Sequence, residues 1–348
     1  MDDVSLNEFL LGVTELEKYI SYNEACNKVI SSEKTLGVKS STALSELIDI
    51  TDSFYRKRVF EYNSYIITLY GLFERFLEDI LSEYLEALLL NYQKYNELPL
   101  KIKNTHLKST VAVLKNLDNP KFRSLTEEKL VFNLNEAINN NKTILNIDGF
   151  TNHSYNFKQK IIAEYLSDAG LENISASLKK FSPLREWLDE KYQEPGEVHY
   201  EVAFQIVNDL AQRRNDVAHG VANIELLNVS FIKEYIEYLK LYCETMFNIV
   251  DSTLLGLYYG TLKSNFTLIS VIDGQIVCGT VNNITISVGD RVLIKRAKTN
   301  SPRYITASIE AIQVEETPKE KIVVSNSTNI GLKLNKRVKD NCQFIIAP

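Results

Sequence analysis

With 348 residues, 45% of them apolar and 24% charged, the sequence describes an ordinary soluble globular chain with room for two domains. Four scattered cysteines (Cys26, Cys243, Cys278, Cys342) form no CxxC pair, which argues against a zinc ribbon or disulfide framework and for a reducing cytoplasm. The net charge of −6 is not that of an obvious nucleic-acid binder, the start Met1-Asp2-Asp3 is acidic where a signal peptide is basic, and no apolar run approaches the ~20 residues a bilayer requires.

The first 255 or so residues carry helical spacing. From Tyr55 to Leu90, apolar residues recur every three or four positions with almost no breakers. Pro99 to Lys158 is rich in Asn, is interrupted by Pro120 and contains Asn139-Asn140-Asn141, so shorter helices joined by polar loops are expected. Ile162–Leu178 and Pro183–Tyr192 read as further short helices, and Pro195-Gly196 as a loop. A helix over about 198–219 follows, with Val202, Ala203, Ile206, Val207, Leu210 and Ala211 on one face, and the last long helical pattern runs from Val229 to Leu257.

Near Thr261 the period changes to two. Phe266–Gly279 and Asn283–Ile294 alternate apolar and polar residues, with turns at Asp273-Gly274 and Gly289-Asp290; Ile305–Val314, Lys321–Ser325 and Gln343–Ile346 continue as short strands. The expected fold is α+β and multidomain: an all-α bundle over 1–260, then a small all-β barrel over 261–348. Charge divides the same way. Residues 265–348 hold 11 Lys and Arg against 7 Asp and Glu, leaving 28 against 38 elsewhere.

Chemistry concentrates in Gln212-Arg213-Arg214-Asn215-Asp216-Val217-Ala218-His219-Gly220. Arginine's planar fork binds phosphate through paired hydrogen bonds and keeps its charge; histidine moves protons near neutral pH. Gly220 is the expected residue just past the helix end, which puts His219 in the last turn, at the negative end of the helix dipole. Five residues turn a helix by about 140° net, so Arg214 and His219 share a side only loosely. They converge on one phosphate if the last turn is distorted or a second chain completes the site. The plainer alternative is that Arg214 pairs with a carboxylate and His219 caps the helix. Asn215 either meets phosphate or the opposite motif, or holds the helix end. Asp216 orients His219 or Arg213, or is simply solvated. His106, His153 and His199 have no ligand-like partners in sequence and read as structural or exposed. No HExxH and no acidic cluster of nuclease spacing is present.

The segment from Arg214 to Gly220 resembles the Arg-x4–6-His signature of the HEPN superfamily, close to its RNxxAHG form. Upstream, Tyr70-Gly71-Leu72-Phe73-Glu74 resembles the aromatic-Gly-x-aromatic-Glu pattern in the first long helix of the RiboL-PSP and MAE-type branches. The resemblance covers roughly residues 40–255. It implies a cytoplasmic endoribonuclease that needs no metal or other cofactor, acts as a homodimer, and serves as a toxin or antiviral defence effector under a protein trigger or inhibitor. Candidate catalytic residues are Arg214, His219, Asn215 and Glu74, with Arg213 as a phosphate-backbone contact. The 2′-hydroxyl of RNA would be the nucleophile, leaving a 2′,3′-cyclic phosphate. The rival expectation is an RNA- or nucleotide-binding sensor that signals through dimerisation without cleaving.

In the second unit, Val288-Gly289-Asp290-Arg291-Val292-Leu293-Ile294, Ala307–Ile312, Asn329–Leu334 and Val338-Lys339-Asp340-Asn341 resemble the β-barrel second domain of translation GTPases such as EF-Tu. Asp340-Asn341 departs from that family's Gly-Asp ending, and no GxxxxGK[ST] loop is present, so no GTPase is implied. That resemblance implies tRNA as the substrate; the local excess of basic residues points to Lys295, Arg296, Lys298 and Arg303 among barrel cations that track an RNA backbone, against charges that only keep the barrel soluble or a barrel that recognises a protein.

Overall fold

A computed structural model describes residues 3–36, 42–54, 56–153, 155–193, 198–221, 225–262, 264–297 and 302–346. The expected loop at Pro195-Gly196 lies outside them. The molecule is α+β: helices fill the N-terminal part, and a nearly closed antiparallel barrel follows.

The helices are α1 (Val4–Leu36), α2 (Thr42–Ser53), α3 (Lys57–Leu89), α4 (Leu100–Leu114), α5 (Glu127–Ile138), α6 (Ile147–Phe150), α7 (Gln159–Asp168), α8 (Ile174–Leu178), α9 (Leu184–Tyr192), α10 (Tyr200–Ala203), α11 (Gln205–Ala218) and α12 (Val229–Thr261). Helix α3 is the spine. Tyr62, Tyr65, Ile66, Leu69, Tyr70, Phe73, Phe76, Leu77 and Ile80 bury a broad apolar face along it. A face that wide packs on more than one side. On one side lies α1 through Phe9, Val13, Leu16 and Ile20, spaced by four, three and four residues. On the other lie α11 and α12. Ser5 bonds Glu83 while Asn23 bonds Tyr65, so α1 runs antiparallel to α3. Ala203 receives the Tyr238 hydroxyl and Asp209 the Tyr235 hydroxyl, so α11 runs antiparallel to α12.

Two expected helices are broken. The segment about 198–219 divides at Phe204, because the Ala203 carbonyl, which an unbroken helix offers to Val207, takes the Tyr238 hydroxyl at 2.7 Å. Ile162–Leu178 divides where Gly170 (φ +86°) and Asn173 (φ +58°) enter the left-handed region.

Beneath α4 and α5, buried His106 organises a polar knot. Its Nε2 accepts the Asn146 backbone N–H at 3.0 Å, and its Nδ1 faces the Tyr95 hydroxyl at 3.1 Å. Asn146 also reaches Thr110 and the Leu130 carbonyl. Burial lowers the His106 pKa to about 4, so the ring is neutral and can accept. His153 is also largely buried, between Glu78 (3.0 Å) and the Tyr155 carbonyl (3.1 Å), whereas His199 is exposed.

The barrel comprises β1 (Phe266–Ile272), β2 (Ile276–Val281), β3 (Ile284–Ser287), β4 (Arg291–Lys295), β5 (Tyr304–Val314), β6 (Thr317–Lys319), β7 (Lys321–Val324), β8 (Thr328–Leu334) and β9 (Gln343–Ile346). The sheet order is β1-β2-β8-β5-β4-β9, with β6 on β5 and a separate β3–β7 pair. Asp273 (φ +52°) and Gly274 (φ +70°) form the expected turn between β1 and β2. Beyond the expected strands are the short β6 and, in the middle of the sheet, β8. The Asn265 side chain stitches β1 to β9, donating to the Ile346 carbonyl (2.7 Å) and accepting its N–H (2.9 Å).

The end of α12 packs on β5. Ser252 accepts the Tyr304 N–H at 3.1 Å, Tyr259 donates to Gln343 at 3.1 Å, and Gly256 lets the Tyr304 ring approach closely. Among the described residues, no helix is long and apolar enough to cross a membrane.

Candidate functional site

The site forms where α11 crosses α3. On α3, Tyr70 and Glu74 stand one turn apart, hence on one face. On α11, Arg214 projects over the Tyr70 ring with its guanidinium carbon 5.2 Å from the centroid. The buried Tyr70 hydroxyl accepts the Phe157 backbone N–H at 2.9 Å and donates to Glu74 at 3.4 Å. Desolvation, ahead of the nearby Glu74 carboxylate, pushes the Tyr70 pKa up to about 12, so it remains a donor at neutral pH. One residue before Phe157, Asn156 donates its side-chain amide to the Asn215 side-chain oxygen Oδ1. The structure thus brings Arg214, Asn215 and Glu74 together around Tyr70.

His219 occupies the helix end. The Gly220 N–H bonds the Val217 carbonyl at 3.1 Å and the Val221 N–H bonds that of Asp216 at 3.0 Å, a Schellman closure that needs the left-handed backbone of Gly220 (φ +63°). His219 is exposed, one turn beyond Arg214 and outside the Tyr70 cluster. Asp216 accepts from Gln212, one turn back on its own helix, at 2.9 Å.

Arg213 is placed differently from its expected role on the RNA backbone. Its Nε bonds Asp209, and its Nη1 donates to the Tyr62 hydroxyl and the Glu225 carbonyl, both at 2.9 Å. Asp209 also takes the Tyr235 hydroxyl at 2.5 Å. The arginine ties α3, α11 and α12 together and is largely buried. Lys295, Arg296 and Arg303 are likewise half-buried, at the α12–barrel junction. Lys295 stands 5.0 Å from the Tyr259 ring centroid, Arg303 lies over Tyr304 at 5.6 Å, and Arg296 donates to the Pro302 carbonyl at 3.3 Å. Aromatic faces attract such cations, and these two tyrosines lie at the junction. Lys298 lies outside the described residues.

The junction is far from Arg214. Asp209 meets α12 at Tyr235, while the barrel meets it at Gly256; at about 1.5 Å per residue that is roughly 30 Å, and Arg214 lies a further turn and more away from the barrel, roughly 40 Å in all. Sequence reasoning quoted Tyr70 within the upstream pattern but gave it no role at the site, and passed over Asn156. Tyr70 carried a signal, since it lies four residues before Glu74 on the same helix face; Asn156 lies in a polar loop with none. Among the described residues, no three His, Cys, Asp or Glu side chains gather as a metal ion would need.

A comparison with known families places these residues in context. The RiboL-PSP-HEPN family matches residues 38–252, which take in α3, α11 and most of α12. No curated protein matches the chain. Among solved structures, the C-terminal domain of a putative U32 peptidase from Geobacillus thermoleovorans is 15% identical, with 25% of this chain and 100% of that chain covered; its TM-score of 0.21 is too low to carry an argument. The family match spans more than half of the chain and includes both Tyr70–Glu74 on α3 and Arg214–His219 at the end of α11, and on that ground the protein belongs to the RiboL-PSP-HEPN family.

Proposed function

We propose that the chain is a metal-independent endoribonuclease, working in the cytoplasm as a homodimer and serving as a toxin or antiviral defence effector. The family is associated with RNase or nucleotide-binding functions. The observation that carries the finer reading is Arg214, which rests on an aromatic ring without a carboxylate partner among the described residues, one turn before the exposed His219. In this reading Arg214 binds the scissile phosphodiester and stabilises charge on its oxygens. His219 takes the proton of the 2′-hydroxyl, the O2′–P bond forms and the P–O5′ bond breaks. The products are a 2′,3′-cyclic phosphate and a 5′-hydroxyl, whose proton comes from a second acid. His219 of a second copy is the candidate for that acid, since a homodimer brings two such motifs to one groove. DNA lacks the nucleophile and is not cut.

Purified protein is expected to degrade RNA in EDTA and to leave cyclic phosphate ends. Arg214→Ala and His219→Ala should each lower the rate by about 100-fold or more while the chain stays folded. Strict magnesium dependence, 3′-hydroxyl ends or unimpaired His219→Ala would overturn the mechanism. Mixing the two inactive variants tests the composite site: if subunits exchange, partial activity should return, and a monomer that cleaves at micromolar concentration refutes the dimer.

A second reading is a binding or sensor module that does not cleave. The bond from Asn156 to Asn215 gives that side chain a part in the fold, with its oxygen accepting while its NH2 group stays able to donate. RNA binding without degradation in EDTA would select it. We take the division at 260 and 261 as separating the nuclease unit from a barrel that selects the target. The reason for naming tRNA as the substrate class is the sequence resemblance to the second domain of translation GTPases read at Val288–Ile294 and Asn329–Leu334, to which the solved structure named above adds no support.

A further inference from the structure

Two neighbouring arginines on α11 have opposite surroundings. Arg213 is neutralised by Asp209 and spends its N–H donors on Asp209, Tyr62 and Glu225. Arg214 has no carboxylate within ion-pair distance among the described residues, although Glu74 shares Tyr70 with it. An arginine held by a carboxylate has its fork occupied. Arg214 makes no hydrogen bond among the described residues, so its N–H donors are available for paired bonds to an anion. The support is rigid: Tyr70 is 1% exposed, its ring is packed in the α3 core, and its hydroxyl is fixed by the Phe157 N–H at 2.9 Å.

We infer that Tyr70 is the positioning residue of this site, a platform that holds the Arg214 guanidinium open for a phosphodiester and links it to Glu74 and to the Asn156–Phe157 segment. The inference deepens the nuclease reading and rests on its assignment of Arg214 to phosphate. It predicts that the ring and the hydroxyl have separable effects. The ring sets affinity for the RNA backbone, through Arg214. The hydroxyl sets the placement of Glu74 and the segment, and so the rate of the bound complex.

The test uses the full chain and two substrates, an RNA 2′-O-methylated throughout, which cannot be cleaved, and its unmodified counterpart. Affinity for the first is read by fluorescence anisotropy, and kcat and KM are measured on the second. Tyr70→Phe should keep affinity within about twofold and lower kcat. Tyr70→Leu should weaken binding roughly five- to tenfold, the scale of a partly desolvated cation–ring contact. In an Arg214→Ala background the same change to Leu should have no further effect on affinity, because its effect passes through Arg214. A general packing defect would weaken both backgrounds equally, and that result overturns the inference, as does unchanged affinity in Tyr70→Leu. If the Leu variant does not fold, phenylalanines of increasing ring fluorination at position 70 replace it: they keep the shape and drain the ring face of negative charge. Affinity should then fall along the series only when Arg214 is present, and a flat series overturns the inference. Wild-type protein that binds the methylated RNA but leaves the unmodified one intact refutes the nuclease reading alone. Wild-type protein that binds neither RNA overturns the platform.

Discussion

Protonation state is decided side chain by side chain, and His106 shows the stake. Its Nε2 accepts the Asn146 N–H, so a proton added there would point donor at donor inside a dry knot. The folded ring therefore resists protonation down to about pH 4, against an ordinary 6.5 in the unfolded chain. Between those values the unfolded state binds the extra proton, so the contribution of His106 to stability is fully present above about pH 6.5 and is lost as pH falls toward 4. The shift corresponds to about 3 kcal/mol. Melting temperatures measured from pH 7 to pH 4 should fall steeply for the wild type. In His106→Gln they should start lower and fall less over that range; parallel curves would mean that other groups dominate the acid response.

Helix ends carry the site, and the end of α11 depends on one backbone conformation. Gly220 holds φ +63° with open space where a Cβ would sit, so Gly220→Ala meets backbone strain and no clash. A loss of about 1 kcal/mol is expected, with a larger fall in RNA cleavage because the closure that places His219 loosens; Gly220→Asn, which tolerates the left-handed region, should recover most of both. Thermal unfolding and cleavage rates on the same preparations check this, and cleavage that tracks stability alone would show that the closure does not place His219. The same end was legible in the sequence, since Ala-His-Gly after an amphipathic run spells a helix stop. The apolar stripe of α3 and the Asp273-Gly274 turn were legible for the same reason: the physics is local. The break at Phe204 was not, because it requires the Tyr238 hydroxyl from 35 residues away. Strand β8 does alternate, with Ile330, Leu332 and Leu334 inward between Asn329, Gly331 and Lys333, but it was not read as a strand, although its pairing with β2 and β5 makes it central. At the candidate site, Arg214 and Glu74 were visible as motif letters, but the different environments of Arg213 and Arg214 were not. Adjacent residues on a helix point about 100° apart, and only the packed neighbours reveal which one meets Asp209 and which one meets a ring.

At the scale of the whole molecule, α12 separates the barrel from Arg214 by roughly 40 Å, and that distance limits how one RNA could engage both. At about 3.4 Å per nucleotide along a duplex strand, a bridging helix needs roughly twelve base pairs, whereas an extended single strand, with roughly twice that rise, needs about six nucleotides. Of the cations expected to read RNA, Lys295 and Arg303 are packed against Tyr259 and Tyr304, so the exposed Arg291, Lys336, Arg337 and Lys339 are better placed to meet an RNA backbone. If the barrel helps to select the target, its contribution should depend on substrate length. A single-stranded oligonucleotide of about three nucleotides, too short to bridge even when extended, should be cleaved equally by the wild type and by a Lys336→Ala, Arg337→Ala double variant of the full chain. With a tRNA, which can reach both ends of α12, the variant should bind more weakly, and its affinity should fall less steeply with salt, the slope easing by a little under one for each phosphate that the variant leaves unneutralised. Cleavage and binding over a range of salt concentrations on both substrates give four curves from two proteins. Equal behaviour on both substrates would remove the barrel from RNA recognition. Its exposed basic surface would then suit an acidic protein trigger or inhibitor, with RNA cleavage confined to the far end of α12.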